Sequence, residues 1–214
     1  MSHPPVGRSD LAWLEPAARA DLRSFAGRAR SREPGGVLRW RSGGGLLVTT
    51  VRARPGQGLL GHGIVVGMRA VSAPSSPELD AVVSLTDLVA ALDAASDALP
   101  APMPPTDRAA SWVGLAPPRS GWELLGEIQV AAPSALAGSS GASGDSGAAA
   151  VDAPAALLEL VRGAASWLGE ESAASAAEAL VALGFLTPGT PMVRVFRAGP
   201  WTRLSTAMGH VLTR

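Results

Sequence analysis

Few side chains in this sequence are equipped for chemistry, and their spacing decides what each can do. Glu123 and Glu127 lie four apart in a stretch that alternates as a strand, an arrangement that places both carboxylates on one face with Gln129 beside them. Paired carboxylates can run general acid–base chemistry. They also line ordinary wet strand faces, and no histidine or metal-ligand spacing accompanies this pair. His3, His62 and His210 stand isolated, and no G-x-S-x-G marks a nucleophile.

Two further groups suggest binding rather than catalysis. Gly56, Gly58 and Gly61 form a literal G-x-G-x-x-G. In a dinucleotide site those glycines open a helix whose N-terminus receives the pyrophosphate. Here the residues that follow, GIVVGMRAV, have strand character, so the segment reads as a glycine-rich hairpin loop. The second group is Trp112, Arg119 and Trp122 around a Pro-Pro-Arg-Ser-Gly turn, which resembles a stacking platform beside a guanidinium. Tryptophan is costly to expose, and core packing is the favoured role for both rings.

Composition removes several reaction classes. Cysteine and lysine are absent, so there is no thiol nucleophile, thiolate metal site or disulfide, and no Schiff-base lysine or ordinary Walker A loop. Asparagine and tyrosine are missing too, and isoleucine occurs only at Ile64 and Ile128; the pattern fits a GC-rich genome. The all-arginine basic set is therefore no sign of selection for bidentate contacts. The first ten residues lack the order of a signal peptide and no apolar run could span a bilayer, which leads to the expectation of a cytoplasmic protein.

Net charge is zero but unevenly placed. Residues 1–70 hold eleven arginines against four acids, and residues 71–214 hold seven against fourteen. Such a split signals either an anionic partner for the first part or two parts that attract one another on folding, and the second reading is preferred.

The elements that must position these residues follow from periodicity. After a loose terminus at 1–8, a helix begins at Pro16 with Leu14, Ala18, Leu22, Phe25 and Ala29 at helical spacing and Arg19, Arg23, Arg28 and Arg30 opposite. Strands are expected at 37–41, 46–53 and 63–71 as a meander, and residues 73–79 as a loop. Ser84 caps a helix with Asp87 at its third position, and its stripe runs from Leu85 to Leu99. A proline-rich connector follows from Pro100. Short strands are expected at 112–115 and 122–130 about the Pro117–Gly121 turn.

Residues 138–150 are glycine, serine and alanine with one aspartate, and read as a flexible insertion. Asp152 then caps a helix ended by Gly169. Ser172 starts a second helix, striped by Ala173, Ala176, Ala177, Leu180 and Leu183 and stopped at Gly184. A hairpin of 192–197 and 201–205 and a short strand at 209–212 close the chain, with Arg194, Arg197 and Arg203 pointing away from the core. The expected fold is α+β, antiparallel meander and hairpin strands packed with three to four helices. Residues 1–137 form its first part, 138–150 the insertion, and 151–214 a second part packed on the first as one domain.

The PPRSGW turn at 117–122, the EALVALGFL helix end at 178–186 and the closing GPWTRLSTAMGHVLTR at 199–214 resemble an uncharacterised protein family of high-GC actinobacteria. That resemblance covers about the second half and implies no catalytic residues. The expected function is a non-enzymatic domain that binds another protein or a small or anionic ligand through contacts such as Trp112, Arg119 and Trp122. The alternative is nucleic-acid binding by the arginine-rich first helix and hairpin, through Arg19, Arg23, Arg39 and Arg41. A metal-independent enzyme without a recognisable motif is the third class. No cofactor and no membrane partner are expected.

Overall fold

The structure is a computed structural model that describes the chain except residues 1–10, 12–13, 59, 96–102, 107, 131–152, 188–189 and 191, and the side chains of 153–156. The expected loose terminus, Leu99, the start of the proline connector, the 138–150 insertion and the Asp152 cap lie outside the described residues. Four α-helices and eight strands are described, and every pairing of known register is antiparallel, so the fold is α+β. The chain forms two compact units, residues 1–55 with 68–116, and 56–67 with 117–214.

In the first unit, α1 (Pro16–Arg32) begins on a proline whose missing N–H costs nothing there, and carries Arg30 and Arg32 in its last turn, where they complement the helix dipole. It buries Leu22, Phe25, Ala26 and Ala29. Strands β1 (Val37–Gly43) and β2 (Leu46–Arg54) pair antiparallel through the Gly43–Gly45 turn. Strand β4 (Leu79–Ser84), where a loop was expected up to residue 79, pairs with the other edge of β1, and the order is β4-β1-β2-β3. Leu38 and Trp40 on one face of β1 are fully buried, while Arg39 and Arg41 occupy the opposite face.

Strand β4 runs directly into α2 (Leu85–Ala94), and Ser84 caps that helix as expected, its Oγ accepting from the Asp87 N–H at 3.3 Å. Leu85, Leu88, Val89 and Leu92 are buried. The short strand expected at Trp112 is instead a 3-10 turn, Ser111–Gly114, in which the Leu115 N–H bonds the Trp112 carbonyl at 3.0 Å. Three residues before a glycine satisfy their backbone locally more readily than by pairing. Trp112 is buried, as preferred.

Strand β3 (Val65–Ser72) contributes its first three residues to the second unit and the rest to the first. The loop before it is the glycine-rich segment. It closes as a bridge between Gln57 and His62, with the Gln57 N–H to the His62 carbonyl at 2.8 Å and the reverse bond at 3.0 Å. No helix follows, so it is a hairpin loop, and its Gly63 N–H bonds the Arg214 carbonyl at 2.6 Å.

The remaining second-unit strands are β5 (Glu123–Gln129), β6 (Met192–Ala198), β7 (Trp201–Ser205) and β8 (His210–Thr213), ordered β3-β8-β7-β6-β5. Helices α3 (Ala153–Leu168) and α4 (Glu170–Ala182) pack on each other, α3 against β5 and α4 against β8. Gly169 separates the helices and itself stands at the α4 N-cap, so α4 starts two residues before the expected Ser172. The predicted alanine stripe and Leu180 and Leu183 are all buried. Packing is close enough that a Cβ on Gly163 would stand 2.7 Å from the Ile128 side chain, and one on Gly126 the same distance from the Trp167 ring.

Candidate functional site

The site grows from the register of three strands. The turn at Gly199–Pro200 pairs Ala198 with Trp201, which sets Phe196 opposite Arg203 and Arg194 opposite Ser205. The β7–β8 pairing continues those rows, with Leu212 opposite Arg203 and His210 opposite Ser205. Alternation along each strand therefore gathers Arg194, Phe196, Arg203, Ser205 and His210 on one face. They line a cavity of about 490 Å³ together with Thr187, Thr190, Met192 and the Thr206–Met208 turn.

Arg203 was expected to point away from the core; it lies on the strand face opposite the buried Val195, Leu204 and Val211, and stacks there on two rings instead of extending into water. Its guanidinium carbon lies 4.4 Å from the Trp122 ring centroid and 4.5 Å from that of Phe196. Both distances are within cation–π reach. The reason is geometric: on a strand whose register sets it opposite Phe196, with Trp122 over it, the apolar stem and flat head fill an aromatic slot better than they would reach water. Burial weakens the guanidinium's hold on its proton, and its Nε is buried with no hydrogen-bond partner among the described residues. Trp122 is fixed in turn by its indole N–H, which donates to the Pro118 carbonyl at 3.1 Å.

The neighbouring row is polar. His210 Nδ1 and Ser205 Oγ are 3.0 Å apart. Burial, and secondarily the charge of Arg203, depress the His210 pKa to about 4, so the ring is neutral at physiological pH. The distance would suit a nucleophile and its base. However, so weak a base is poorly matched to neutral pH, and no described carboxylate hydrogen-bonds the ring to orient it. Arg194 holds Glu127 through its Nε at 3.0 Å, and the Thr187 and Thr190 hydroxyls are 2.9 Å apart. Among the described residues no group of three or more histidine or acidic side chains could hold a metal ion.

The carboxylate pair does not assemble. A register shift between Leu124 and Gly126 sets Glu123 opposite Arg197 but Glu127 opposite Arg194, and those arginines lie three apart on β6. The two glutamates thus face opposite sides, because one extra residue reverses the alternation. Trp112 belongs to the first unit, and Arg119 and Trp122 to the second. Arg119 is exposed in its turn, and the arginine stacked on Trp122 is Arg203.

The arginines proposed for nucleic acid all lie in the first unit. Arg39 holds Asp80 through two bonds of 2.9 and 2.8 Å, which raise its pKa, and donates to the Val113 carbonyl at 3.1 Å. Arg23 pairs with Asp93, Arg52 with Glu33 and Arg69 with Asp21. Arg19, on α1, and Arg41, on β1, are half-buried. Counted by unit, twelve arginines face ten acids in the first and six face eight in the second, so the charge split shrinks from seven to two. Several acids that balance the basic stretch lie just beyond residue 70.

Two family models divide the chain between them. Residues 7–112 match a domain of unknown function (DUF8010), and residues 117–214 match a second domain of unknown function (DUF8185). No curated protein and no solved structure matches the chain. The junction of the two matches coincides with the division after Ala116, except that residues 56–67 group with the second unit although they fall within the DUF8010 match. The cavity residues all fall in the DUF8185 match. No described helix is long and apolar enough to cross a membrane.

Sequence reasoning missed Arg203, His210, Ser205 and Phe196 as one group. A signal was available: a two-residue turn at Gly199–Pro200 dictates that Phe196 opposes Arg203 and Arg194 opposes Ser205.

Proposed function

We propose that the DUF8185-matching unit is a non-enzymatic binding module for a small ligand carrying a carboxylate-like anionic group and a compact apolar body. The observation that carries this reading is Arg203, a guanidinium clamped between two rings at the wall of a cavity and paired with no carboxylate among the described residues. A partly desolvated cation gains more from an anion than an exposed one does, because the local dielectric is lower. Phe196, Met192 and Met208 supply the apolar wall, and Ser205, Thr190 and neutral His210 supply hydrogen bonds without competing charge.

The test is a thermal-shift and calorimetric series with benzoate, hexanoate and their uncharged amides. The carboxylates are expected to raise the melting temperature and the amides to leave it unchanged, since only a ligand that favours the native state stabilises it. Arg203→Met, which keeps the stem between the rings, should abolish the difference. Equal stabilisation by acids and amides, or an undiminished response in the variant, would remove the basis of the reading. The nucleic-acid alternative loses support from the carboxylates already held by Arg23 and Arg39.

A further inference from the structure

The opposite face of β6, β7 and β8 carries a second row. The register sets Thr202 opposite both Arg197 and Thr213, so one guanidinium and two threonine side chains lie side by side across three strands. They line a separate cavity of about 330 Å³ with Arg214, the end of α3 at Trp167 and the first turn of α4 at Ser172. Thr213 is 2% exposed. Its Oγ1 and the Nε of Arg214 are both buried with no hydrogen-bond partner among the described residues. Arg197 Nη2 donates to the Trp167 carbonyl at 2.7 Å, which anchors that guanidinium where α3 ends.

We infer that this cavity is a site for a tetrahedral oxyanion, a phosphate or a phosphate-monoester group. Three features converge on that chemistry. Two arginines line it and supply positive charge, and guanidinium N–H groups are suited to phosphate oxygens. Buried groups of the Thr213 and Arg214 kind are donors that a folded protein ordinarily pairs, and an anion accepts from several at once. The third feature is the start of α4: Gly169 at its N-cap has no side chain to accept from the first N–H groups, and no side-chain cap bond exists, so the positive end of a 13-residue helix lacks a capping side chain beside Ser172. Glu170 and Glu171 in the first turn are exposed, and Glu123 pairs opposite Arg197. Solvent screens such charges, so they moderate the affinity rather than reverse its sign.

The site is distinct from the carboxylate cavity, which uses the other face of the same strands. A smaller planar anion would engage fewer of these donors than a tetrahedral one, whose oxygens diverge toward the strand face and toward the helix end together.

The experiment titrates inorganic phosphate into the full chain at constant ionic strength, read by calorimetry and by melting temperature, with chloride as the control in the wild type and acetate as the control in Arg203→Met, whose carboxylate cavity has lost its guanidinium. Saturable binding by about 10 mM is expected, since weaker affinity would leave no more than a non-specific charge effect. Thr213→Val keeps the shape and removes the hydroxyl; it should raise the melting temperature in phosphate-free buffer while weakening phosphate binding about tenfold. Arg197→Gln should weaken binding further, Thr213→Ser should restore it, and Arg203→Met should leave it unchanged. The inference is overturned if phosphate does not saturate, if acetate binds Arg203→Met as well as phosphate does, or if Thr213→Val and Arg197→Gln bind phosphate like the wild type. It is overturned equally if Arg203→Met abolishes binding, which would assign the phosphate to the other face. Should Thr213→Val fail to fold, the Arg197→Gln and Arg203→Met pair decides alone.

Discussion

The two units differ in how closely helices approach strands, and each holds one arginine put to the opposite use. In the first unit the core is anchored by Trp40 and Phe25, with Leu22, Leu88 and Leu92 from the helices. In the second, α4 buries small residues, Ala173, Ala176 and Ala177, beside Leu180, and glycines at 126 and 163 let α3 and β5 approach closely. Arg39 in the first unit is matched by Asp80, whereas Arg203 in the second rests between Trp122 and Phe196. Under the proposed reading, a count of basic residues points to the opposite end of the chain from Arg203. The informative property is whether a carboxylate lies within reach, and that depends on strand register.

The contrast in packing predicts that each unit is damaged by the opposite kind of substitution. Trp40→Ala should cost about 3–5 kcal/mol, the usual range for emptying a fully buried aromatic position. Denaturant unfolding measures the loss, and hydrogen exchange locates it: protection should fall in β1, β2 and β4 and persist in β6 and β7. A uniform loss of protection would break the comparison, because it would mean that the two units unfold as one.

Enlargement is the corresponding test of the second unit. An exposed helical glycine changed to alanine ordinarily gains about 1 kcal/mol. At Gly163 the sign should reverse, since the new methyl would meet the buried Ile128 side chain at 2.7 Å near its branch point, and overpacking typically costs about 1–3 kcal/mol. A stabilised Gly163→Ala would show that α3 can move away from β5 without penalty.

Much of this was legible in the sequence, and the limits have physical causes. Strong periodicity marked α1, α2 and the α4 stripe, and glycine turns marked the β1–β2 and β6–β7 hairpins, because those signals are local. Strand β4 escaped notice because its six residues run straight into Ser84 and the apolar stripe of α2, and its pairing partner β1 lies some forty residues earlier. The Leu124/Gly126 shift is equally silent, since a bulge changes facing without changing composition. The stacking of Arg203 was missed for a related reason: alternation sets it on the face away from Val195 and Leu204 but cannot announce the Trp122 and Phe196 rings that meet it there.

The smallest expected effect is also the one that most directly separates the two uses of arginine. A double-mutant cycle on Arg39 and Asp80 should yield a coupling of about 1 kcal/mol or less, because the Asp80 side chain is 52% exposed and solvent screens the pair. Either single variant should fall mildly in stability, and the double variant should recover part of the loss. Raising salt should shrink the coupling. At Arg203 the corresponding change has no carboxylate partner to strand, so Arg203→Met should be insensitive to salt and near neutral or stabilising in the absence of ligand, the guanidinium's desolvation having been removed while its stem is kept. A strong salt dependence at Arg203, or none at Arg39, would invert the assignment of structural and binding arginines.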